Sequence, residues 1–245
     1  MATTTVARGS AGSPRAKRKA PFLIELYRSA LGKKYVMAIT GIMLMGFVFA
    51  HMVGNLKMYL GPSHLNEYAA FLRQLLVPIV PPNGVLWMMR IGLIVAFALH
   101  ISSAYSLTRM NRAARTTKYQ SQRDYIAANF ASRTMRMTGI IVALFLLWHL
   151  ADLTWGWANP DFEEGLAYQN VVASLSRVPV AILYVVANIA LGVHLFHGAW
   201  SLFQSMGWNS PRFNSWRRGF AAGFAALIVI GNCSFPIAVQ LGIVG

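Results

Sequence analysis

Five long apolar stretches constrain this chain more than any other feature of its sequence. They run over Tyr35–Met58, Val85–Leu107, Met137–Trp157, Val178–Phe203 and Phe220–Val239, and we number them the first to fifth spans. A helix of about 20 apolar residues crosses a hydrocarbon core about 30 Å thick. Backbone polar groups in lipid must be bonded within their own segment. The stretches therefore predict an all-α integral membrane protein, a bundle of five transmembrane helices.

The composition supports a membrane protein and argues against other classes. Hydrophobic residues make up 56% of the chain and charged residues 12%, against about 25% charged in a typical soluble domain. The net charge of +15 does not indicate nucleic-acid binding, because the basic residues flank the apolar spans. The single cysteine, Cys233, excludes an iron–sulfur cluster held by this chain alone.

The distribution of basic residues predicts the orientation of the spans. One side of the five-span arrangement carries 18 of the 22 lysines and arginines, and the other side carries four of them with five of the seven acidic residues. Cytoplasmic loops are enriched in lysine and arginine. The N-terminus is therefore predicted to be cytoplasmic and the C-terminus to lie outside.

The chain is expected to divide into a tail and one membrane domain. Residues 1–20 are rich in Ser, Ala, Arg and Lys and contain no apolar core, so they predict a disordered basic cytoplasmic tail without a cleavable signal peptide. Residues 21–245 form the predicted five-helix domain. Within it, Asn159 and Pro160 are expected to end the third span, and Pro236 to end or kink the fifth.

Histidines are the chemically informative residues of the spans. Ionisable side chains are costly inside a bilayer and mark function there. Only His64 falls outside the predicted spans, in a loop beside Gly61 and Pro62, where a solvated side chain is expected. The five histidines within the spans are His51, His100, His149, His194 and His197.

Four of these histidines fall at two depths. Counted from the cytoplasmic ends of the first and third spans, His51 lies roughly 24 Å and His149 roughly 18 Å along the helix. Counted from the outer ends of the second and fourth spans, His100 lies about 22 Å and His194 about 24 Å along. We call the depth of His51 and His149 the outer level and the depth of His100 and His194 the inner level.

Two histidines at each of two levels are what two stacked bis-histidine b haems require. Neutral imidazole is a good axial ligand of haem iron, and glycines such as Gly41 and Gly139 provide room between helices. On the fourth span, His197 lies three residues after His194 and nearly on the same face. Their depths differ by only about 4.5 Å, so spacing alone leaves either residue as the inner ligand.

Two segments resemble a known family. Residues 29–41 (SALGKKYVMAITG) continue into residues 46–56 (GFVFAHMVGNL), and residues 194–207 read HLFHGAWSLFQSMG. They resemble the first and fourth helices of the five-helix, dihaem cytochrome b anchor subunit of succinate dehydrogenases and fumarate reductases. In that family a glycine follows the fourth-helix ligand by four residues, as Gly198 follows His194, so the resemblance favours His194 over His197.

The resemblance implies a complete set of cofactors and partners. It implies that His51 and His149 hold an outer haem b and that His100 and His194 hold an inner one. It further implies a flavoprotein and an iron–sulfur subunit on the cytoplasmic side, and menaquinone or ubiquinone as substrate. The implied location is a bacterial-type cytoplasmic membrane, in contact with lipid and without nucleic acid. The expected activity is electron transfer between the iron–sulfur subunit and quinone, with succinate oxidised or fumarate reduced on another subunit.

Several polar residues near the ends of the spans are candidates for binding quinone or haem propionates. On the cytoplasmic side, interfacial anchoring is the simpler explanation for such residues. On the outer side, a solvated carboxylate in a loop is the simpler explanation for Glu67, whereas Asp152 lies one turn from His149. Arg90 either neutralises a propionate or reaches to the interface. The candidates are Ser29, Lys33 and Lys34 on the cytoplasmic side, and Glu67, Arg90 and Asp152 on the outer side.

Two other functions fit the same histidines. One is a dihaem b subunit of a formate dehydrogenase or hydrogenase, which would differ in its soluble partner. The other is a transporter or proton channel without haem, in which the histidines would handle protons or hydrogen-bond between helices.

Overall fold

The computed structural model describes residues 21–114, 128–208 and 210–245. Every regular element in that part of the chain is a helix. The predicted tail, residues 1–20, lies outside the described residues. Five helices are long and apolar enough to cross a membrane, which confirms the predicted architecture.

The five spanning helices are longer than the apolar stretches that predicted them. The first span is α2, Ala30–Asn55, which continues as a 3₁₀ turn over Leu56–Leu60. The second is α4, Gly84–Ala113, and the third is α5, Ala128–Leu153. The fourth is α7, Val178–Ser205, and the fifth is α8, Asn214–Gln240, preceded by a 3₁₀ turn over Pro211–Phe213.

Three short helices lie between or before the spans. Helix α1, Phe22–Arg28, precedes the first span, whereas α3, Pro62–Arg73, and α6, Ala167–Ser176, lie in the connections at the end of the bundle that is predicted to be the outer one. Asn66 joins these two connections, because its amide donates to the Gln169 side chain at 2.9 Å and its carbonyl oxygen accepts from the Tyr168 N–H at 2.9 Å. The outer end of the bundle is therefore closed by hydrogen-bonded helices.

Three local predictions are corrected by the structure. His64 and Glu67 lie on α3 and not in an irregular loop, although both are exposed. Proline is favoured in a first helical turn, and Pro62 occupies that position in α3.

The third span ends at Leu153, before the predicted stop at Asn159 and Pro160. The N–H of Trp155 bonds back to the Leu150 carbonyl at 2.9 Å, and Gly156 follows with a φ of 71°. A glycine in the left-handed region is a common helix terminator, and Gly156 therefore ends the helix before the chain reaches Pro160.

The fifth helix does not end at Pro236 but continues to Gln240, so the predicted end is excluded and a kink at this proline stays a prediction. Membrane helices tolerate an internal proline when neighbouring groups accommodate the freed backbone carbonyl. Pro236 is itself fully buried, so packing holds the helix on both sides of it.

The fourth span is the centre of the bundle. It packs against α5 on one side and α8 on the other, and α2 contacts α4, α7 and α8. Small buried residues, including Ala187, Ala190 and Ala199, allow close approach of the helices. This arrangement places the fourth span beside the first and third spans, which carry His51 and His149.

Candidate functional site

At the outer level the structure brings His51 and His149 together. Their ring centroids are 5.9 Å apart and their planes are perpendicular. Two in-line metal–imidazole bonds of about 2 Å would place ring centroids roughly 6 Å apart. His51 is exposed and His149 half-buried, so both rings can be reached by another group. This geometry fits a bis-histidine site.

A buried charged network supports His149. The Tyr184 hydroxyl lies 3.3 Å from His149 Nδ1 and donates to Asp152 Oδ2 at 2.8 Å. Ser174 also donates to Asp152 Oδ2. Arg177 donates to Asp152 Oδ1 at 2.6 Å, and its Nη1 donates to the Ala158 carbonyl at 2.6 Å.

Asp152 is therefore a buried ion-pair partner. Its side chain is fully enclosed, whereas that of Arg177 is 29% exposed. A buried carboxylate needs a cation and hydrogen-bond donors to remain ionised, and Arg177, Ser174 and Tyr184 provide them. The sequence identified Asp152 as a candidate but did not indicate this partnership.

His51 has a different environment. Its ring stacks on Phe47, with centroids 5.4 Å apart and an interplanar angle of 19°. Phe145 lies against both His149 and Tyr184, at centroid distances of 5.8 and 5.0 Å. Aromatic rings therefore surround the outer pair, and the polar support described above is on the His149 side.

At the inner level, each histidine faces a threonine–glycine pair on the preceding span. Thr40 Oγ1 lies 3.2 Å from His100 Nδ1, and Thr138 Oγ1 lies 3.5 Å from His194 Nδ1. A Cβ added at Gly41 would lie 3.6 Å from His100 Cε1, and one added at Gly139 would lie 3.3 Å from His194 Cε1. The glycines thus let the imidazole rings lie close to the neighbouring helix.

The structure separates His194 from His197. His194 makes the threonine and glycine contacts of the inner level. His197 is half-buried one turn further along the fourth span. These contacts distinguish His194 from His197 at the inner level.

A repeated sequence pattern could have identified the threonines. Residues 37–41 read MAITG and residues 135–139 read MRMTG, and a histidine follows each threonine by eleven residues. In each case the threonine hydroxyl also bonds backward along its own helix, to Val36 and Met37 or to Thr134 and Met135. No comparable pattern indicates Tyr184 or Arg177, whose contacts with Asp152 depend on tertiary structure.

The other outer candidates are separate from the histidine pair. Glu67 lines a surface groove of about 420 Å³ together with Lys57, His64, Tyr68 and Phe71. Arg90 is exposed and its guanidinium lies over the Trp87 ring, 5.1 Å from the centroid. The groove thus contains a carboxylate, a cation and aromatic side chains near the outer end of the first span.

The candidates on the side that is predicted to be cytoplasmic form a second polar group. Ser29 caps α2, because its hydroxyl accepts from the Gly32 N–H at 2.9 Å and donates to the Leu26 carbonyl at 2.6 Å. Lys33 Nζ lies 4.2 Å from the centre of the Tyr27 ring, and Lys34 is exposed. Hydrogen bonding to Ser102, 3.3 Å away, is the main influence that lowers the pKa of Tyr27.

The donor set suits a planar group with two axial ligands better than a bare metal ion. Among the described residues, no three or more His, Cys, Asp or Glu side chains cluster where they could hold a metal ion. A haem brings four equatorial nitrogens of its own and needs only the two axial ligands. The paired imidazoles of His51 and His149 therefore fit haem.

Comparison with known proteins gives one match. The family model described as "Succinate dehydrogenase/Fumarate reductase transmembrane subunit" matches residues 108–232, just over half of the chain. The matched segment contains His149, His194, Asp152, Arg177 and Tyr184. No curated protein and no solved structure matches the chain.

Proposed function

Because the chain belongs to the succinate dehydrogenase/fumarate reductase transmembrane subunit family, we propose that it is the dihaem cytochrome b anchor of such a complex. The family is one of multi-pass membrane subunits that bind haem and quinone and associate with the other subunits of the complex. In this proposal the chain connects an iron–sulfur subunit on the cytoplasmic side with quinone in the membrane. Oxidation of succinate, or reduction of fumarate, takes place on a separate flavoprotein subunit.

The geometry of the outer pair carries the proposal. His51 and His149 lie at a centroid distance suited to two axial bonds on one iron, although they are 98 residues apart in the chain. The family assignment supports succinate dehydrogenase over formate dehydrogenase, hydrogenase or a transporter.

Two haems, when bound, would supply one-electron carriers at the outer and inner levels. His51 and His149 would hold the outer group, and His100 and His194 the inner group, each through Nε2. At the inner level, the hydroxyls of Thr40 and Thr138 lie within hydrogen-bonding distance of the Nδ1 atoms of His100 and His194. The side chains thus fix both the position and the orientation of each ligand ring.

The basic side of the bundle is the proposed docking surface for the soluble subunits. The residues that flank the spans on that side include Lys34, Arg109, Arg112 and Arg218, all exposed. The positive-inside rule places this side in the cytoplasm, with the inner level nearer to it. We therefore propose that the inner pair receives electrons from the iron–sulfur subunit in a bacterial-type cytoplasmic membrane.

The groove around Glu67 is the proposed quinone site at the outer level. Quinone reduction consumes protons and quinol oxidation releases them, so a carboxylate beside the head group can act as acid or base. Tyr68 and Phe71 supply aromatic surface, and Lys57 lies 5.5 Å from the Tyr68 ring centre. Menaquinone and ubiquinone both present the oxygen acceptors that these groups would recognise.

The decisive experiment is a reduced-minus-oxidised difference spectrum of the purified chain with its partners, combined with haem quantification. The proposal expects b-type bands, two haems per chain, and reduction of haem by succinate in native membranes. A preparation that is folded but contains no haem would overturn it. Reduction by formate or hydrogen instead of succinate would assign the chain to another respiratory complex.

The quinone site has its own test. Glu67→Gln should lower quinone-dependent turnover by roughly a hundredfold, the usual size of an acid–base contribution, while both haems are retained. Glu164→Gln is the matched control, since Glu164 is an exposed carboxylate in an outer connection. Equal turnover in the two variants would contradict the assignment of Glu67.

A further inference from the structure

The Tyr184 hydroxyl has one proton and two polar neighbours. It lies 3.3 Å from His149 Nδ1 and 2.8 Å from Asp152 Oδ2. The Asp152 carboxylate is an acceptor only, and it also receives Ser174 and Arg177. The phenol proton is therefore directed to Asp152, which leaves the phenol oxygen as an acceptor toward His149.

This hydrogen-bond direction determines the tautomer of His149. A neutral imidazole carries its proton on one of its two nitrogens. If the Tyr184 oxygen accepts, the proton of His149 is on Nδ1, and Nε2 keeps its lone pair. That is the tautomer in which His149 can bind iron through Nε2.

We propose that Tyr184, held by the Asp152–Arg177 ion pair, is a positioning residue that orients His149 and increases its electron donation to iron at the outer level. The proposal rests on the proposed function, because it takes His149 as an axial ligand. A histidine whose N–H donates to a carboxylate-linked acceptor is a more basic ligand. A more basic axial ligand stabilises oxidised iron, so the network lowers the midpoint potential of that haem.

The energetic cost and the arrangement of the network indicate a role beyond stabilising the fold. A fully buried carboxylate is costly, and a hydrophobic residue of similar size could fill the same space. The four polar residues come from the third span, α6, the residue between α6 and the fourth span, and the fourth span itself. Ser174, Arg177 and Tyr184 converge on the Asp152 carboxylate, and Tyr184 connects it to His149 Nδ1. His51, the other outer ligand, instead stacks on Phe47.

The test is Tyr184→Phe in the full-length chain, purified with its partner subunits. Phenylalanine keeps the ring and its edge contact with Phe145 and removes only the hydroxyl. We expect two haems per chain, an upward shift in the midpoint potential of one haem, and no shift in the other. The shifted haem should be the one that is lost in His149→Ala.

Tyr59→Phe is the matched control. Tyr59 is also a tyrosine near the outer end of a span, and its hydroxyl donates to Ser234 at 2.7 Å. Loss of the Tyr59 hydroxyl should leave the midpoint potentials of both haems unchanged. Two haems with unchanged potentials in Tyr184→Phe would overturn the inference.

A second variant covers the case in which Tyr184→Phe lowers haem content. Ser174→Ala removes one donor to Asp152 and leaves Tyr184 in place. It should shift the same haem and not the other, because Asp152 then binds the remaining donors more strongly; unchanged potentials would overturn the inference. A wild-type protein without b-type bands would instead refute the proposed function, so the two failures are distinguishable.

Discussion

The outer and inner levels use the same ligand, histidine, with different supporting groups. At the inner level, Thr40 and Thr138 present neutral hydroxyls from equivalent positions of two spans. At the outer level, His149 faces a tyrosine linked to a buried ion pair, whereas His51 stacks on an aromatic ring. The comparison shows that equivalent positions on two helices give the inner histidines matching neighbours, whereas contacts between distant segments give the two outer histidines different ones.

The largest expected effect is the loss of one haem at a time. His51→Ala and His149→Ala should each remove the outer haem, and His100→Ala and His194→Ala the inner haem, so haem content should fall by about half because each iron needs both axial ligands. Haem-to-protein ratio and spectral assignment measure this result.

His197→Ala is the control for these ligand variants. His197 lies on the same span as His194, and the His197→Ala variant should retain both haems. If His197→Ala lost the inner haem and His194→Ala did not, the assignment of the inner ligand would be reversed, and the threonine contact of His194 would have only a structural role.

The next effect concerns stability. Arg177→Ala leaves the Asp152 carboxylate buried without its cation, and breaking such a pair costs about 3 kcal/mol. The unfolding temperature in detergent should fall, and the outer haem should be lost before the inner one on heating. Both are measured by following the haem bands through a thermal ramp.

Arg90→Ala provides the comparison for that measurement. The exposed Arg90 lies over Trp87, and a cation–π contact at such a site is worth about 0.5 kcal/mol. Equal unfolding temperatures for Arg177→Ala and Arg90→Ala would show that the ion pair contributes little to the outer level.

A smaller effect is expected from the inner threonines. Thr40→Val removes one hydrogen bond, worth about 1 kcal/mol, which is roughly 40 mV for a one-electron centre. The midpoint potential of the inner haem should rise and that of the outer haem should not. Thr138→Val should act in the same direction but less, because its contact is 3.5 Å and that of Thr40 is 3.2 Å.

The smallest effect should distinguish the two inner glycines. Alanine at 139 would place Cβ 3.3 Å from the His194 ring, whereas alanine at 41 would leave 3.6 Å to the His100 ring. Both substitutions gain about 1 kcal/mol of helix propensity, so a difference between them reports the contact with histidine. We expect Gly139→Ala to perturb the inner haem spectrum and Gly41→Ala to leave it unchanged; the reverse order would contradict the geometry.

The spans were predictable because they follow from a local rule, and the histidine levels stay a prediction of the same kind. Apolar length defines a spanning helix, and a rise of about 1.5 Å per residue converts sequence position into depth. The partnership of Asp152 with Arg177 was not predictable, because it depends on α6 and on the turn after Leu153, which bring residues 25 positions apart into contact. The end of the third span before Gly156 and the continuation of the fifth helix past Pro236 were likewise not predictable, because they depend on turn geometry and on packing.

The repeated spacing in the first and third spans also sets the distance between the inner and outer levels. Eleven residues separate Thr40 from His51 and Thr138 from His149, and eleven residues are about three complete turns of an α-helix. Each of these helices therefore presents its hydroxyl and its ligand on the same side, about 16 Å apart along the axis. The first and third spans therefore hold the threonine and the histidine at equal separations. A single-residue insertion between the two in either span would rotate its histidine by about 100° about the helix axis. Electron transfer between the two levels would then be interrupted.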